Sequence, residues 1–589
     1  MKTITNKYTI IKNENFVLGA DKTDKGYSFA FVSDLDEITL ILFKEGIIRP
    51  QYTITIGREY KTGNVFSIIL KGVDLDGYSY VYMADGDIIV DPYAKMLTGL
   101  PDFAVIDNSG LVNVRGRIGN RTYSWKGEKR PEIKKEDLVI YKLHPRGFTM
   151  SPSSKVNFPG TFKGITEKIN HFKKLGINAV ELMPAYEFKE YDYHFIYWGY
   201  NEGFYFAPKA AYSSCYKDGG DYTAEFKDMV KKLHNNSIEV YMEFYFPREI
   251  YAGMIDDCLR YWKKEYHIDG AHLICDERVR LFLAEDPYLK DFKLIYSDWY
   301  TDCNNSNLFE YNEGFENVTR KFLKGDEGQL RDFIEVFKKN PLHASAINFI
   351  ADNNGFTLMD LVSYDRKHNE ENGEHNRDGK DYNISWNCGE EGPSTKRKVL
   401  VQRMRNRKNA MAFVLLSQGI PLIYSGDEFG NSQNGNNNAY CQDNETGWVD
   451  WSALNKNRKF FNYVTELIEF RKSHHILHTA KELFQTDYKY YGLPDISFHG
   501  SKAWYPELEN YNRHLGIMLC GKYAKDENDV YIGINMHWEK HILALPKVPD
   551  KKWRLILNTN DTEGITIEQN RTMEVPPRSI VVLISEKNS

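Results

Sequence analysis

The sequence predicts a central parallel (β/α)8 barrel, or TIM barrel, with a β-sandwich on either side of it. Residues 1–115 contain short alternating strands separated by turn-prone Gly and Asp, which is typical of a small sandwich. From about Leu138, short apolar strands alternate with amphipathic helices, which indicates a parallel sheet. Alternating strands return near the end of the chain. We therefore expect three domains, at residues 1–115, 116–475 and 476–589.

The two sandwiches are predicted from strands with a period of two, which places one side of each strand in a core. The N-terminal strands read GYSFAFVS (Gly26–Ser33), EITLILFK (Glu37–Lys44), VFSIILKG and YSYVYMAD. The C-terminal strands follow the helix FFNYVTELIEFRKSHH and read ISFHG, HLGIMLCG, DVYIGINMHW, RLILNT and SIVVLIS.

The barrel is predicted from eight apolar strands, because eight strand and helix units close into a (β/α)8 barrel. In order, the strands read LVIYKLH, AVELMP, IEVYMEFYF, GAHLIC, KLIYS, NLFEYN, AINFIA and PLIYSG. The helical stretches between them include FKGITEKINHFKKLG, AEFKDMVKKLHNN, MIDDCLRYWKKEY and VQRMRNRKNAMAFVLLSQ.

Composition narrows the class of protein. The 42% apolar share, 27% charged share and net charge of −6 are those of an ordinary globular protein, and they argue against a nucleic-acid partner. The N-terminal stretch MKTITNKYTIIKNENF has no apolar run of the kind a signal peptide needs, and no segment approaches a membrane helix. We expect a cytoplasmic protein with no membrane partner. Its seven scattered cysteines lack C-x-x-C spacing, which predicts reduced thiols.

Long motifs run through the chain, including DGDIIVDPYAKMLTG, DLVIYKLHPRGFT, GTFKGITEKINHFKKLGINAVELMP and YWGYNEGFYFAP. With the domain order, they resemble the α-amylase superfamily, glycoside hydrolase family 13. The stretches DLVSYDRKHNEENGEHNRDG, ISWNCGEEGP and SGDEFGNSQNGNNNAYCQDNETGWVDW look like the isoamylase, pullulanase and glycogen-debranching branch of that family. The N-terminal sandwich is similar to a family 48 carbohydrate-binding module.

The resemblance implies a specific chemistry. Active members hydrolyse or transfer α-glucosidic bonds with retention, which needs a carboxylate nucleophile and a carboxylic acid about 5 to 5.5 Å apart. In the family, the nucleophile is an Asp after strand four, the acid is a Glu after strand five, and a stabilising Asp follows strand seven.

This sequence departs from the family at all three positions. Aligning DGAHLICD with the family pattern D-G-F-R-x-D puts Ile274 at the nucleophile and His272 at its partner arginine, and an aliphatic side chain cannot attack an anomeric carbon. Aligning KLIYSDW with L-I-x-E-P-W puts Ser297 at the acid. Aligning INFIADNNGFTL with H-D-G-F-T-L puts Asn353 at the histidine and Asn354 at the stabilising Asp.

Strand three and several loops also differ from the family. The strand ends in EFYFPR where the family has D-V-x-x-N-H, with Glu243 at the first motif position and Arg248 at the last. The segments after strands three, four and five are shorter than in debranching enzymes, whereas those after strands seven and eight keep their length. Since barrel active sites are built from these loops, shortening them removes walls of the pocket.

Two neighbouring acids could replace the lost carboxylates. Asp276 lies two residues beyond Ile274 and faces the same side if the strand continues, but about 6 to 7 Å further along. Asp298 lies one residue beyond Ser297 and faces the opposite side of the strand. Glu243 is either a sugar ligand or a structural carboxylate at the top of the barrel.

Aromatic side chains supply the remaining candidates for sugar contacts. The resemblance puts Tyr200 at the family's W-G-Y tyrosine, which stacks on the sugar at the cleavage subsite. Trp198 and Trp299 could line the same pocket, together with His272 and Arg248, or each could be structural. The sequence has no cluster with metal-ligand spacing, and we expect neither a metal nor a cofactor.

Three functions follow from this sequence. The first is a non-catalytic member of the superfamily that binds α-glucan, such as glycogen or starch oligosaccharides, or a partner enzyme that acts on them. The second is an active hydrolase or transferase of isoamylase, pullulanase or debranching type that uses relocated carboxylates, Asp276 and Asp298. The third is a protein-interaction scaffold without affinity for sugar.

Overall fold

Eight parallel strands form a closed barrel in the computed structural model, as the sequence predicts. The model describes residues 8–105, 113–118, 122–299, 307–341, 343–561, 564–569 and 571–587. The barrel strands are β1 (Ile140–Leu143), β2 (Ala179–Leu182), β3 (Glu239–Tyr245), β4 (Gly270–Ile274), β5 (Lys293–Tyr296), β6 (Leu308–Tyr311), β7 (Ser345–Asn348) and β8 (Ile420–Tyr424). Each strand pairs with the next, and β8 closes the barrel by pairing with β1.

Helices surround the barrel and follow the strands in order. They are Phe162–Glu167, Ile169–Leu175, Tyr222–His234, Ala252–Tyr261, Glu277–Glu285, Glu313–Lys324, Leu330–Lys338, Arg397–Leu416 and Arg458–Ser473. The helix Tyr222–His234 illustrates why they form. Its first turn is capped by Asp221, whose side chain accepts hydrogen bonds from the amides of Thr223 and Ala224. Its buried residues recur at intervals of three and four, so one face of the helix packs on the barrel.

The barrel interior is filled by side chains rather than open. The residues buried together there are Leu138, Ile140, Ala179, Tyr241, Ile295, Phe309, Tyr311, Ile347, Phe349, Ile420 and Leu422. Such inward layers come from alternate residues of the strands. The wall is therefore rigid, and side chains at the strand ends are held in fixed positions.

Antiparallel sheets flank the barrel on both sides in sequence. The N-terminal pair of sheets contains Thr9–Lys12, Gly19–Thr23, Gly26–Val32, Lys61–Thr62 and Val65–Lys71 in one, and Glu37–Lys44, Tyr52–Gly57, Tyr78–Ala84, Asp87–Ile89, Leu97–Thr98 and Arg115–Arg117 in the other. The C-terminal sheets contain Ile496–His499, His514–Leu519, Val530–Asn535, Lys551–Asn558 and Ser579–Lys587, and His541–Ala544, Ile567–Glu568 and Thr572–Val575. The predicted fold class is confirmed. The exact domain boundaries stay a prediction.

Two other features of the described residues bear on the sequence analysis. No helix in the described ranges is both long enough and apolar enough to span a bilayer. The six described cysteines are all free, and Cys303 lies outside the described residues, as does most of the segment after β5.

Candidate functional site at the barrel mouth

The structure brings together, at the mouth of the barrel where the strands end, the residues that the motif alignments predict at the family's site positions. They are His272 within β4, Ile274 at the end of β4, Ser297 directly after β5, Arg248 after β3, and Asn353 and Asn354 after β7. Ile274 is half-buried, Ser297 and Asn354 are exposed, and Asn353 is buried. Active sites of (β/α)8 barrels are built at this face, so the motif alignments converge on one place.

Beneath the mouth lies a buried charge network of four side chains, Lys142, Glu181, Glu243 and His272, which we call the mouth network. They come from β1, β2, β3 and β4 and point into the barrel. The Lys142 Nζ lies 2.8 Å from the Glu243 Oε1. The His272 Nδ1 lies 2.9 Å from the Glu181 Oε1 and 3.0 Å from the Glu243 Oε1. Two cations thus bind two carboxylates inside the barrel.

Three neutral side chains complete the mouth network's surroundings. The Tyr311 hydroxyl donates to the Glu181 Oε1 at 2.6 Å, and its ring stacks on His272 with centroids 4.3 Å apart. The Tyr200 hydroxyl donates to the Glu243 Oε2 at 2.5 Å and accepts from the Asn353 amide at 3.2 Å. Asn353, which the motif alignment puts at the family's histidine position, therefore supports Glu243 only indirectly, through Tyr200.

The ionisation of the mouth network follows from its contacts. Burial would lower the pKa of Lys142, but Glu243, Asp352 and Glu181 raise it above its ordinary value. Burial would also lower the pKa of His272, but hydrogen bonds with Glu181 and Glu243 raise it to about 9. Burial would raise the pKa of Glu243, yet Lys142 and His272 hold it well below its ordinary value. At neutral pH, Lys142, His272 and Glu243 are therefore charged.

This arrangement decides what the surviving carboxylates can do. A retaining mechanism needs one carboxylate free to attack and one carboxylic acid able to donate a proton. Glu243 is held ionised by two cations, so it cannot serve as the proton donor, and it has no accessible surface from which to attack a sugar. The mouth network therefore has the chemistry of an internal ion pair.

Three of these side chains are close enough together to be considered as ligands for a metal ion. Ligand atoms of Glu181, Glu243 and His272 lie within 4.8 Å of one another, as a divalent cation would require. However, the Lys142 ammonium and the His272 Nδ1 proton already occupy the space between the carboxylates. A metal would have to displace both, because metal-bound histidine must be deprotonated. The residues present do not fit a metal ion.

The strand ends at Ile274, so it does not continue to Asp276, the predicted site of a relocated nucleophile. Asp276 is instead the N-cap of helix Glu277–Glu285 and accepts from the Arg278 amide at 3.0 Å. Its carboxylate also binds the Arg278 guanidinium at 2.7 and 2.9 Å and the Arg248 Nε at 3.2 Å. The bond to Arg278 lowers the pKa of Asp276 to about 2. Arg248 is thus an exposed partner of this cap.

Asp298, the other candidate acid, follows Ser297 and is half-buried. Its backbone carbonyl accepts from the Arg280 Nη1 at 2.8 Å. The contact ties the chain after β5 to the helix that follows β4, so the two loops support each other.

The aromatic candidates lie at different depths. Trp299 is completely buried, and its indole N–H donates to the Phe309 carbonyl at 2.9 Å, so its ring is part of the core and offers no face to a sugar. Trp198 is buried beside Tyr200, with ring centroids 6.2 Å apart. Of the three, Tyr200 keeps the most accessible surface.

Sequence reasoning missed Lys142, Glu181 and Tyr311 as parts of the site. A signal was present, since LVIYKLH and AVELMP each contain one charged residue within an apolar strand. Lys and Glu are almost never fully buried unless paired, so each such residue predicts a partner inside the barrel. The motif comparison passed over them because they are not at the reacting positions.

The chain was then compared with known proteins. No family model matches it. It is 30% identical to the glycogen operon protein GlgX homolog of Mycobacterium tuberculosis, an alignment that covers 98% of this chain and 97% of that protein. It is 29% identical to the chloroplastic isoamylase 1 of Arabidopsis thaliana, covering 85% of this chain and 78% of that protein. This chain belongs to the isoamylase and GlgX debranching family.

The resemblance to the debranching branch of glycoside hydrolase family 13 is therefore confirmed. The alignment with the mycobacterial GlgX homolog runs over 707 positions, more than the 589 residues of this chain, so that relative contains segments this debranching-family member lacks.

Solved structures share the fold. The catalytic module of the pneumococcal virulence factor SpuA superposes with a TM-score of 0.76 at 16% identity, covering 98% of this chain and 99% of that one. The pullulanase of Paenibacillus barengoltzii, in complex with maltohexaose and α-cyclodextrin, superposes with a TM-score of 0.74 at 19% identity, covering 97% and 96%.

Proposed function

We propose that this debranching-family protein is non-catalytic and binds α-glucan, such as glycogen or starch oligosaccharides, or an enzyme that acts on them. The proposal rests on the side chains found at the mouth of the barrel. Ile274 stands at the nucleophile position, and the buried carboxylates Glu181 and Glu243 beneath it are bound by Lys142 and His272.

The missing chemistry is distributed over three strands. Ile274 has no nucleophilic atom, and the Ser297 hydroxyl has no pKa near neutrality, so neither half of a double displacement has its reagent. Asn354 is neutral and cannot balance the positive charge of an oxocarbenium-like transition state. One replacement would weaken catalysis, but these three together remove it.

An active enzyme with relocated carboxylates is the second candidate. Asp276 is the acid closest in sequence to the nucleophile position, but both of its oxygens bind arginine side chains and its pKa is about 2. It is fully ionised at neutral pH and cannot donate a proton. Serving as nucleophile would require it to leave Arg278 and Arg248 and to uncap its helix.

Sugar binding is supported by the parts of the mouth that remain. Tyr200 stays partly accessible and is held by Glu243 and Asn353, so its ring has one fixed orientation. Aromatic faces pack on the apolar faces of glucose rings. Solved relatives of the same fold carry maltotriose or maltohexaose. We propose a cytoplasmic location, in keeping with six free cysteines among the described residues.

The test is a pair of measurements on the purified protein. We expect no release of reducing ends from glycogen, amylopectin or pullulan, and the same result for an Asp276→Asn, Asp298→Asn double variant. Release by the wild-type protein that the double variant loses would overturn the non-catalytic reading in favour of relocated carboxylates.

Binding is measured in the second experiment, by calorimetry with maltotriose and maltohexaose. We expect binding heat for the wild-type protein and a clear loss for Tyr200→Ala. Absence of any heat with these sugars and with glycogen would instead favour the third candidate, a scaffold for protein contacts.

A further inference from the structure

A cluster of exposed aromatic rings lies on the loop between the last barrel helix and the C-terminal sheets. The loop contributes Phe484, Tyr488, Tyr490 and Tyr491, whose exposed fractions are 61%, 47%, 94% and 39%. Tyr523 joins them from the short helix Gly521–Ala524. We call these five residues the aromatic platform. Contiguous exposed apolar surface of this kind marks an interaction site rather than an ordinary loop.

Four of the five rings of the aromatic platform contact one another. Ring centroids are 5.5 Å apart for Phe484 and Tyr488, 4.9 Å for Tyr488 and Tyr523, and 5.1 Å for Tyr491 and Tyr523. These are the separations of packed aromatic pairs. The four rings therefore form one continuous surface, and Tyr490, next to Tyr491 in the chain, is 94% exposed.

The carboxylates of Asp487 and Asp495 hold the loop in place by accepting hydrogen bonds from its backbone amides. Asp487 accepts from the Tyr491 and Gly492 amides, each at 2.8 Å, and from the Tyr523 hydroxyl at 2.7 Å. Asp495, which is fully buried, accepts from the Phe484 amide at 2.6 Å and the Gln485 amide at 2.8 Å. The rings are thus pre-positioned, which reduces the entropy lost when a ligand binds.

Tyr490 combines an unusual backbone conformation with high exposure. Its backbone φ is +56°, in the left-handed region that disfavours a bulky side chain. Its ring gains almost no burial in return, since it is the most exposed of the five. The positive φ belongs to the turn in which Asp487 accepts from the Tyr491 and Gly492 amides, and this turn leaves the Tyr490 ring in solvent.

The aromatic platform is distant from the barrel mouth. The chain leading to the platform is bound at the end of the barrel where the strands begin. The Asn340 side chain, before β7, donates to the Thr479 carbonyl at 2.7 Å. The Gln418 side chain, before β8, donates to the Ile476 carbonyl at 2.8 Å. The mouth is at the opposite ends of those strands. A ligand on the platform therefore occupies a separate surface.

We propose that the aromatic platform binds an α-glucan chain by stacking of glucose rings on the tyrosines. The choice of ligand class rests on the proposed function. Every exposed large hydrophobic side chain in residues 484–492 is aromatic and none is aliphatic, which suits the flat apolar face of a sugar. The Lys489 amine lies within 6 Å of three of the ring centroids, where it can donate to sugar hydroxyls.

The experiment is affinity electrophoresis of the full chain in native gels that contain increasing amounts of glycogen. The test variant is Phe484→Ala with Tyr490→Gly, which removes the two most exposed rings. Glycine is chosen at position 490 because it adopts a positive φ freely, so the substitution removes the ring without straining the backbone. The matched control is Tyr505→Ala, which removes a 70% exposed ring elsewhere in the C-terminal part.

We expect the double variant to bind glycogen on the order of tenfold more weakly, because two of the ring faces available for stacking are removed. Tyr505→Ala should migrate like the wild-type protein, and Tyr490→Trp should retain binding. Equal retardation of the double variant and the wild-type protein overturns the platform, as does a wild-type protein that glycogen does not retard. Release of reducing ends would refute the proposed function alone and leave the platform result standing.

Discussion

Replacing Lys142 with Met should destabilise the barrel far more than an ordinary change of similar size. Methionine has nearly the same length, so packing is kept while the charge is lost. The Lys142 Nζ is 2.8 Å from the Glu243 Oε1 in a fully buried site. Removing one partner of a buried ion pair costs about 3 to 5 kcal/mol, because the other charge is left uncompensated. His272 still contacts Glu243 at 3.0 Å, so we expect the lower end of that range.

The assay is calorimetric melting of Lys142→Met, Glu243→Gln and the double variant. A loss of about 3 kcal/mol should lower the melting temperature of the barrel by roughly 4 °C, since the barrel is larger than about 250 residues and such a domain shifts by less than about 2 °C per kcal/mol. The double variant should regain part of the loss, because both charges leave together. The expected coupling between the two positions is about 2 kcal/mol.

Two outcomes would contradict this reasoning. One is a Lys142→Met variant that melts at the wild-type temperature, and the other is a double variant whose loss equals the sum of the single losses. Either would mean that Lys142 does not neutralise Glu243. The carboxylates of the mouth would then not be held by paired cations.

Two further predictions concern His272 and Asp276. The folded pKa of His272 is about 9 and its unfolded value is about 6.5, so its stabilisation is fully present below about pH 6.5 and is lost as pH rises through 9. The loss in the free energy of unfolding should approach about 3 kcal/mol. Melting curves from pH 6 to 10 should show this loss for the wild-type protein. A His272→Gln variant with the same alkaline slope would refute the prediction. Asp276→Ala should lower the melting temperature by removing the cap of helix Glu277–Glu285, whereas Glu277→Ala should not; equal melting of the two variants would exclude the capping role.

The architecture could be predicted from the sequence because it depends on local patterns. The change from alternating strands to strand and helix units marks the barrel, and alignment with the family's motifs predicted that Ile274, Ser297 and Asn354 lie at one mouth. Family motifs fix these positions at strand ends, and strand ends of a closed barrel meet at one face. No knowledge of side-chain partners was needed for either step.

The mouth network could not be predicted in the same way. Lys142 and Glu243 are about a hundred residues apart in sequence, and only closure of the barrel determines which charged side chain meets which. The position of Asp276 could have been predicted more closely. The sequence DERVRLFLAE places an Asp directly before a run of helix-forming residues, which is an N-cap signal, and it would have predicted that the strand ends before Asp276.

The proposed loss of the catalytic side chains at the mouth is physically linked to the paired charges beneath it. Without a catalytic carboxylate above it, an arginine at position 272 would be a buried cation lacking one partner, and such a charge is costly. His272 instead lies between Glu181 and Glu243 and binds both. A buried ion pair adds little net stability compared with apolar residues, so its value here lies in fixing the geometry of the mouth. Tyr200 is bonded to Glu243, so the mouth network also orients the aromatic ring that we propose contacts sugar at the mouth.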